Sequence, residues 1–172
     1  MEEKCKTVVV AVDESEESMS ALLWACKYLL PAQCPHGNNT QQLPCKFILV
    51  HIQPDTCFAA GPAYIASEDL VNLLEMDARR TTQKIFKRAL CICRDNNVKA
   101  ETEVFVGEVK QRLCEAAGKL GVDFLVMGSH SHGFFKRMCR VIVGSLSDYC
   151  CQKAACPVVV VNKNICNNLK RW

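Results

Sequence analysis

The chain has 172 residues, 49% of them apolar and 23% charged, with a formal net charge of +3. That length suits one domain burying roughly two-thirds of its unfolded surface, and the composition is that of an ordinary soluble globular protein. So small a positive charge, with no Lys/Arg block, argues against a nucleic-acid partner, and no apolar run reaches membrane-spanning length.

The N-terminal MEEKCKTVVVAVDE has neither the apolar core nor the cleavage site of a secretory signal, so a cytoplasmic protein is expected. Thr7 to Val12 is a continuous β-branched run, the pattern of a strand buried on both faces. Asp13-Glu14-Ser15 turns the chain. Met19, Leu22, Leu23, Cys26, Leu29 and Leu30 then recur at helical spacing, with Glu16 and Glu17 in the first turn, where the helix dipole favours them. Pro31 should stop that helix, and residues 31–46 are polar and turn-rich.

Phe47 to Ile52 is a second buried strand, with His51 expected as a hydrogen-bonded core residue. A loop leads to a helix whose core face carries Leu70, Leu73, Leu74, Ala78, Ile85, Ala89 and Ile92, ended by Asp95-Asn96-Asn97. Ala100 to Val106 alternates, Glu101 and Glu103 on one face against Thr102, Val104 and Val106 on the other, which fits an edge strand. Val109, Leu113, Ala116, Ala117 and Leu120 form the next helical stripe. Phe124 to Met127 and Pro157 to Val161 are the last strands. Between them Ser145-Leu146-Ser147-Asp148 has the form of a capping box, so a helix should begin near Ser145. Strands alternating with helices predict an open parallel α/β sheet covered on both faces. No internal repeat or second domain is evident.

The 13 cysteines are scattered and include no C-x-x-C pair, which removes the main support for a zinc ribbon or a thioredoxin-like motif. Reduced cysteines used as small hydrophobes are the expected state, with redox sensing the alternative. Cys150 and Cys151 are adjacent.

Gly128 and Gly133, in VMGSHSHGFFKR, have the spacing that opens a P-loop. In such a loop Lys and Ser/Thr follow the second glycine at once; here Phe134 and Phe135 stand there, so the segment is not a P-loop. In open parallel sheets ligands bind beyond the carboxyl ends of the strands, where neighbouring connections run to opposite faces. Ala11-Val12-Asp13, Val50-His51-Ile52 and the segment from Gly128 occupy that edge. A glycine loop running into a helix start at Gly144-Ser145 would offer backbone N–H groups and a positive dipole end to a phosphate. The alternative is that Gly128 merely ends a strand and Gly144 merely precedes a cap.

VVVAVDES, VMGSH, GFFKR, GSLSDYC and CPVVVV, in that order, resemble the universal stress protein family, particularly its plant members. The resemblance runs from Thr7 to about Val161, leaving 162–172 as a tail of the single domain 1–172. It implies a Rossmann-like sheet of order 3-2-1-4-5, a homodimer, and an adenine nucleotide, ATP or AMP, with Mg²⁺ as a candidate companion. By position it implies a site drawn from Ala11, Val12, Asp13, Val50, Met127, Gly128, His130, Ser131, Gly133, Gly144, Ser145 and Leu146. Asp13 matches the acidic residue near ribose and adenine, and Val50 falls in the strand whose backbone contacts the base. The family motif G-x2-G-x9-G-[ST] is not reproduced. Ser131 stands at its second glycine, and twelve residues, 132–143, separate Ser131 from Gly144. The additional residues fall in Met138 to Val143, a bulky approach to the helix.

His130 and His132 lack further ligands for a metal site, so no metal is expected. Ser145 is better read as a cap than as a nucleophile, and Lys136, Arg137 and Arg140 as a solvated basic surface. With no positioned general base, catalysis is not expected beyond the slow ATP hydrolysis that the resemblance allows. The last strand, Pro157, Val158, Val159, Val160 and Val161, lies at a sheet edge in the implied order and carries no charge. An edge of that kind needs cover. Pairing with a second copy would supply it, the tail being the other candidate. The two functional readings are a dimeric nucleotide-binding stress regulator and a nucleotide-free interaction or redox-sensing protein of the same fold.

Overall fold

A computed structural model describes residues 6–29, 45–55, 68–129 and 146–162 of the chain. In chain order the elements are β1 (Lys6–Ala11), α1 (Glu16–Tyr28), β2 (Cys45–Gln53), α2 (Glu68–Asp95), β3 (Ala100–Val106), α3 (Val109–Lys119), β4 (Phe124–Gly128), α4 (Leu146–Lys153) and β5 (Val158–Val161). Every ladder is parallel, and the strands lie in the order β3-β2-β1-β4-β5. This is the expected open α/β sheet, with the order implied by the resemblance.

That order dictates the layers. The chain steps outward from β1 to β2 to β3, then crosses back to β4 and on to β5. Right-handed crossovers therefore place α1 and α2 on one face and α3 and α4 on the other. The apolar side chains sort accordingly. Val8, Val10, Phe47, Leu49 and Val126 pack with Leu22 and Ala25 of α1 and Ile85 and Ala89 of α2. Val9, Ile48, Val50, Leu125 and Met127 pack with Leu113 and Ala117 of α3 and Cys150 of α4. β1 supplies both cores, which is why its sequence does not alternate.

The helix ends follow local chemistry. Helix α1 stops at Tyr28, three residues before Pro31. The N–H of Val98 donates to the Cys93 carbonyl at 2.9 Å and that of Asn97 to Arg94 at 3.0 Å, with Asn97 at φ 58°. This is a Schellman end to α2, in which Asn adopts the left-handed conformation usually taken by glycine. Helix α3 ends the same way, with Gly121 at φ 57° and the N–H of Val122 donating to the Ala117 carbonyl at 3.4 Å. In each case the valine after the turn enters a core.

One expected core stripe is corrected. Ile85, Ala89 and Cys93 of α2 are buried, but Leu70 is 37% and Leu73 63% exposed. The helix runs for 28 residues, about 42 Å, and β2 and β3 are too short to cover it. Helical periodicity identifies an apolar stripe but not the length over which the sheet meets it. Strand β3 is an edge strand as expected, and Val104 and Val106 on it are exposed.

Replacing Leu22 by Ala should lower unfolding free energy by about 2–5 kcal/mol, the range for a fully buried leucine. Leu73→Ala should change it by less than about 0.5 kcal/mol. Urea denaturation of the two variants checks the boundary; equal losses would place the first half of α2 inside a core.

Candidate functional site

The ladder between β1 and β4 ends at Val10↔Val126. Beyond that point β1 stays with β2, through Ala11↔Val50 and an N–H of Val12 that donates to the Val50 carbonyl at 2.9 Å. Strand β4 stays with β5, through Gly128↔Val161 and an N–H of Ser129 that donates to the Val161 carbonyl at 2.9 Å. The two central strands therefore part at their carboxyl ends, between connections that run to opposite faces. A crevice at such a switch point is where ligands of open parallel sheets bind.

One wall is the turn from β1 into α1. The Asp13 carboxylate accepts the Ser15 N–H at 2.9 Å and the Ser15 hydroxyl at 2.5 Å. The Ser15 hydroxyl oxygen in turn accepts the N–H of Ser18 at 3.1 Å, which makes Ser15 the N-cap. Ser18 is buried. Its hydroxyl accepts the Asp13 N–H at 3.2 Å and lies 3.1 Å from the carbonyls of Asp13 and Ser15. Asp13 is thus held by its own backbone neighbours, ahead of a helix start with Glu16 and Glu17 in its first turn. The ring of His51, buried as expected, bonds through Nδ1 to the Val12 carbonyl at 2.9 Å and meets Phe86 edge-on.

The other wall is Gly128. A Cβ there would lie 2.5 Å from the carbonyl carbon of Glu17, 2.6 Å from its oxygen and 2.8 Å from the nitrogen of Ser18. All three are backbone atoms and cannot swing aside. The close approach of α1 by itself requires glycine at this position.

Of the residues expected at the site, the structure brings Ala11, Val12 and Asp13 to the same edge as Met127 and Gly128. Val50 is buried in the α3 and α4 core with its carbonyl already bonded to Val12. Leu146 is half-buried against that core and opens α4, with Asp148 in the first turn. His130, Ser131, Gly133, Gly144 and Ser145 lie outside the described residues, as do His132, Lys136, Arg137, Arg140 and Met138 to Val143. Among the described residues no group of three or more His, Cys, Asp or Glu could hold a metal ion, and no helix is long and apolar enough to cross a membrane.

Sequence reasoning missed Lys84 and Arg88. Both line an open cleft of about 170 Å³ with Asp13, Glu14, Met19 and Ile85, and Arg88 pairs with Glu16 at 2.6 Å. Their spacing of four puts them on one face of α2. Nothing in the sequence says that this face passes beside the β1 turn.

The geometry defines an open, doubly wound parallel α/β protein whose first and fourth strands part at their carboxyl ends. The Universal stress protein family model matches residues 4–162, and the chain belongs to that family. It is 26% identical over 122 residues to a Universal stress protein A-like protein of Arabidopsis thaliana, covering 69% of this chain and 67% of that one. To Universal stress protein MJ0531 of Methanocaldococcus jannaschii it is 25% identical over 158 residues, covering 92% of this chain and 82% of that one. Among solved structures, UspA from Lactobacillus plantarum superposes with a TM-score of 0.63 at 21% identity, covering 92% of this chain and 98% of that one. A family protein from Arabidopsis thaliana with AMP bound gives 0.61 at 20% identity, covering 92% of each chain. The Archaeoglobus fulgidus protein in complex with dAMP gives 0.57 at 18% identity, covering 91% of this chain and 97% of that one. At these identities the superpositions establish the fold.

Gly128→Ala should cost about 1–3 kcal/mol or more through overpacking against rigid backbone, read as a lower urea midpoint. Asp13→Ala should cost about 1 kcal/mol, whereas Asp13→Asn, which keeps an oxygen acceptor for Ser15, should stay within about 0.5 kcal/mol. Equal losses for the two Asp13 variants would mean that the charge, not the turn, matters for stability.

Proposed function

We propose that this chain, as a single cytoplasmic domain spanning 1–172, is a stress-response regulator that holds an adenine nucleotide, AMP or ATP, in the crevice between β1 and β4. The observation that carries the reading is the parting of those strands beyond Val10↔Val126 with Asp13 on one lip. Fold relatives solved with AMP and with dAMP support it. Asp13 suits the ribose and adenine side. The base would lie over the backbone of Ala11, Val12 and Met127, with Val50 beneath.

The phosphates would meet the backbone of Gly128, His130, Ser131 and Gly133 and the helix start at Gly144, Ser145 and Leu146. There, N–H groups and the dipole favour an anion. Mg²⁺ would accompany ATP rather than be held by a protein cluster. Binding, orientation and release of the nucleotide form the activity, with slow ATP hydrolysis at most beside them.

A second reading keeps the fold without the nucleotide. The tight approach of α1 to Gly128 favours it, because that contact explains the glycine without a ligand. Ser131 and the twelve-residue spacer to Gly144 favour it as well.

Calorimetric titration of the reduced chain with AMP and with ATP plus Mg²⁺ decides between them. Saturable binding, lost in Gly144→Asp and weakened in Asp13→Asn, is expected. A folded chain that binds neither nucleotide would establish the second reading. Deleting three residues from Met138–Val143 and placing Gly at 131 should tighten binding, and unchanged affinity would contradict the role assigned to the loop.

The homodimer belongs to the same proposal, formed by pairing of β5 with β5 of a second copy through Pro157 to Val161. Strand β5 is an edge strand, and Val160 on it is 38% exposed. Sedimentation should give a dimer that becomes a monomer in Val160→Lys. A Val160→Lys chain that stays dimeric would move the interface elsewhere.

A further inference from the structure

Each packed layer beside the sheet contains a pair of facing thiols. Between α1 and α2, Cys26 and Cys93 share one core and are both closed off, 5% and 1% exposed. Between α3 and α4, the Sγ atoms of Cys114 and Cys150 are 3.8 Å apart. Cys150 is fully buried, whereas Cys114 is half-buried and so within reach of solvent. The second pair therefore combines proximity with access.

We propose that Cys114 and Cys150 form a reversible intramolecular disulfide, with Cys114 the sulfur that a hydroperoxide reaches first and Cys150 the resolving thiol. A disulfide holds its sulfurs about 2.05 Å apart, so rotation about the side-chain torsions closes the remaining gap. The Cys114 thiolate attacks one peroxide oxygen and the O–O bond breaks. The other oxygen leaves as alcohol or water, taking up the proton that the thiol released. Cys114 is then a sulfenic acid. The Cys150 sulfur attacks it, the S–S bond forms, the S–O bond breaks, and the hydroxyl leaves as water with the Cys150 proton. Two thiols are oxidised by two electrons and one hydroperoxide is reduced. A small thiol reverses the bond by exchange.

The order of attack follows from the surroundings. Burial, followed by the nearby Cys114 sulfur, pushes the Cys150 thiol up to about 12, so it stays protonated until the sulfenic acid forms beside it. The bond would tie α3 to α4 and enclose the chain from 114 to 150. Closing a loop of that length restricts the unfolded chain and should raise Tm by roughly 5–10 °C. This inference does not rest on the nucleotide reading, since neither sulfur belongs to the crevice.

The test uses the full reduced chain carrying Cys151→Ser, so that the neighbouring thiol cannot confuse the assignment. Hydrogen peroxide is the probe, free thiols are capped, and peptides are mapped without reduction. A Cys114–Cys150 peptide should be the first link to form. It should vanish with dithiothreitol, and the rise in Tm should be missing in Cys114→Ala. In Cys150→Ala, dimedone should label Cys114. Should that variant fail to fold, the order of disulfide formation in the Cys151→Ser chain decides alone. Prior formation of Cys26–Cys93, or oxidation of Cys114 to sulfonic acid without a link to Cys150, would overturn the proposal.

Discussion

The contact between the first turn of α1 and the end of β4 governs the arrangement of this molecule. The backbone of Glu17 and Ser18 lies so close to Gly128 that no side chain fits between them. To start there, α1 must begin almost at once after β1, which leaves Asp13, Glu14 and Ser15 to reverse the chain. The reversal is stabilised from within. Asp13 bonds Ser15, Ser15 caps Ser18, and the buried Ser18 hydroxyl returns to Asp13. Hydrogen bonds of this kind each contribute about 0.5–1.5 kcal/mol, and leaving a buried partner unsatisfied costs more.

The same contact shapes the crevice. With α1 anchored over β4, the β1 turn stays on the β2 side, held by the bond from Val12 to Val50. Strand β4 stays with β5. The carboxyl ends of the central strands therefore separate, while both remain fixed by the cores beneath. The Asp13 side of this edge is itself braced by the hydrogen bonds that join Asp13, Ser15 and Ser18. Lys84 and Arg88 add positive charge beside Asp13, although Arg88 already pairs with Glu16.

Much of this was legible in the sequence, for identifiable reasons. The strands of the two-sided core are unbroken apolar runs, and Asp95-Asn96-Asn97 marks a helix end because Asn adopts the left-handed conformation more readily than most residues. Asp13 was legible as a turn residue and, through the family resemblance, as part of a site. Other features were not. The exposure of Leu70 and Leu73 depends on how far α2 extends beyond the sheet, which a helical repeat does not encode. The reason for Gly128 was open between a ligand and a neighbouring helix, because a glycine specifies close approach without naming what approaches. The pairing of Cys114 with Cys150, 36 positions apart, likewise required the packing of α3 on α4.

The central claim is that the parted ends of β1 and β4 form the nucleotide crevice. Amide resonances of the isotope-labelled, reduced chain, followed during titration with AMP, test it most directly. The account predicts saturable shifts concentrated at Ala11, Val12, Asp13, Gly128 and Ser129, with Leu113, Ala116 and Ala117 on α3 little changed. Saturable shifts confined to other surfaces, with the β1 and β4 ends unmoved, would contradict it.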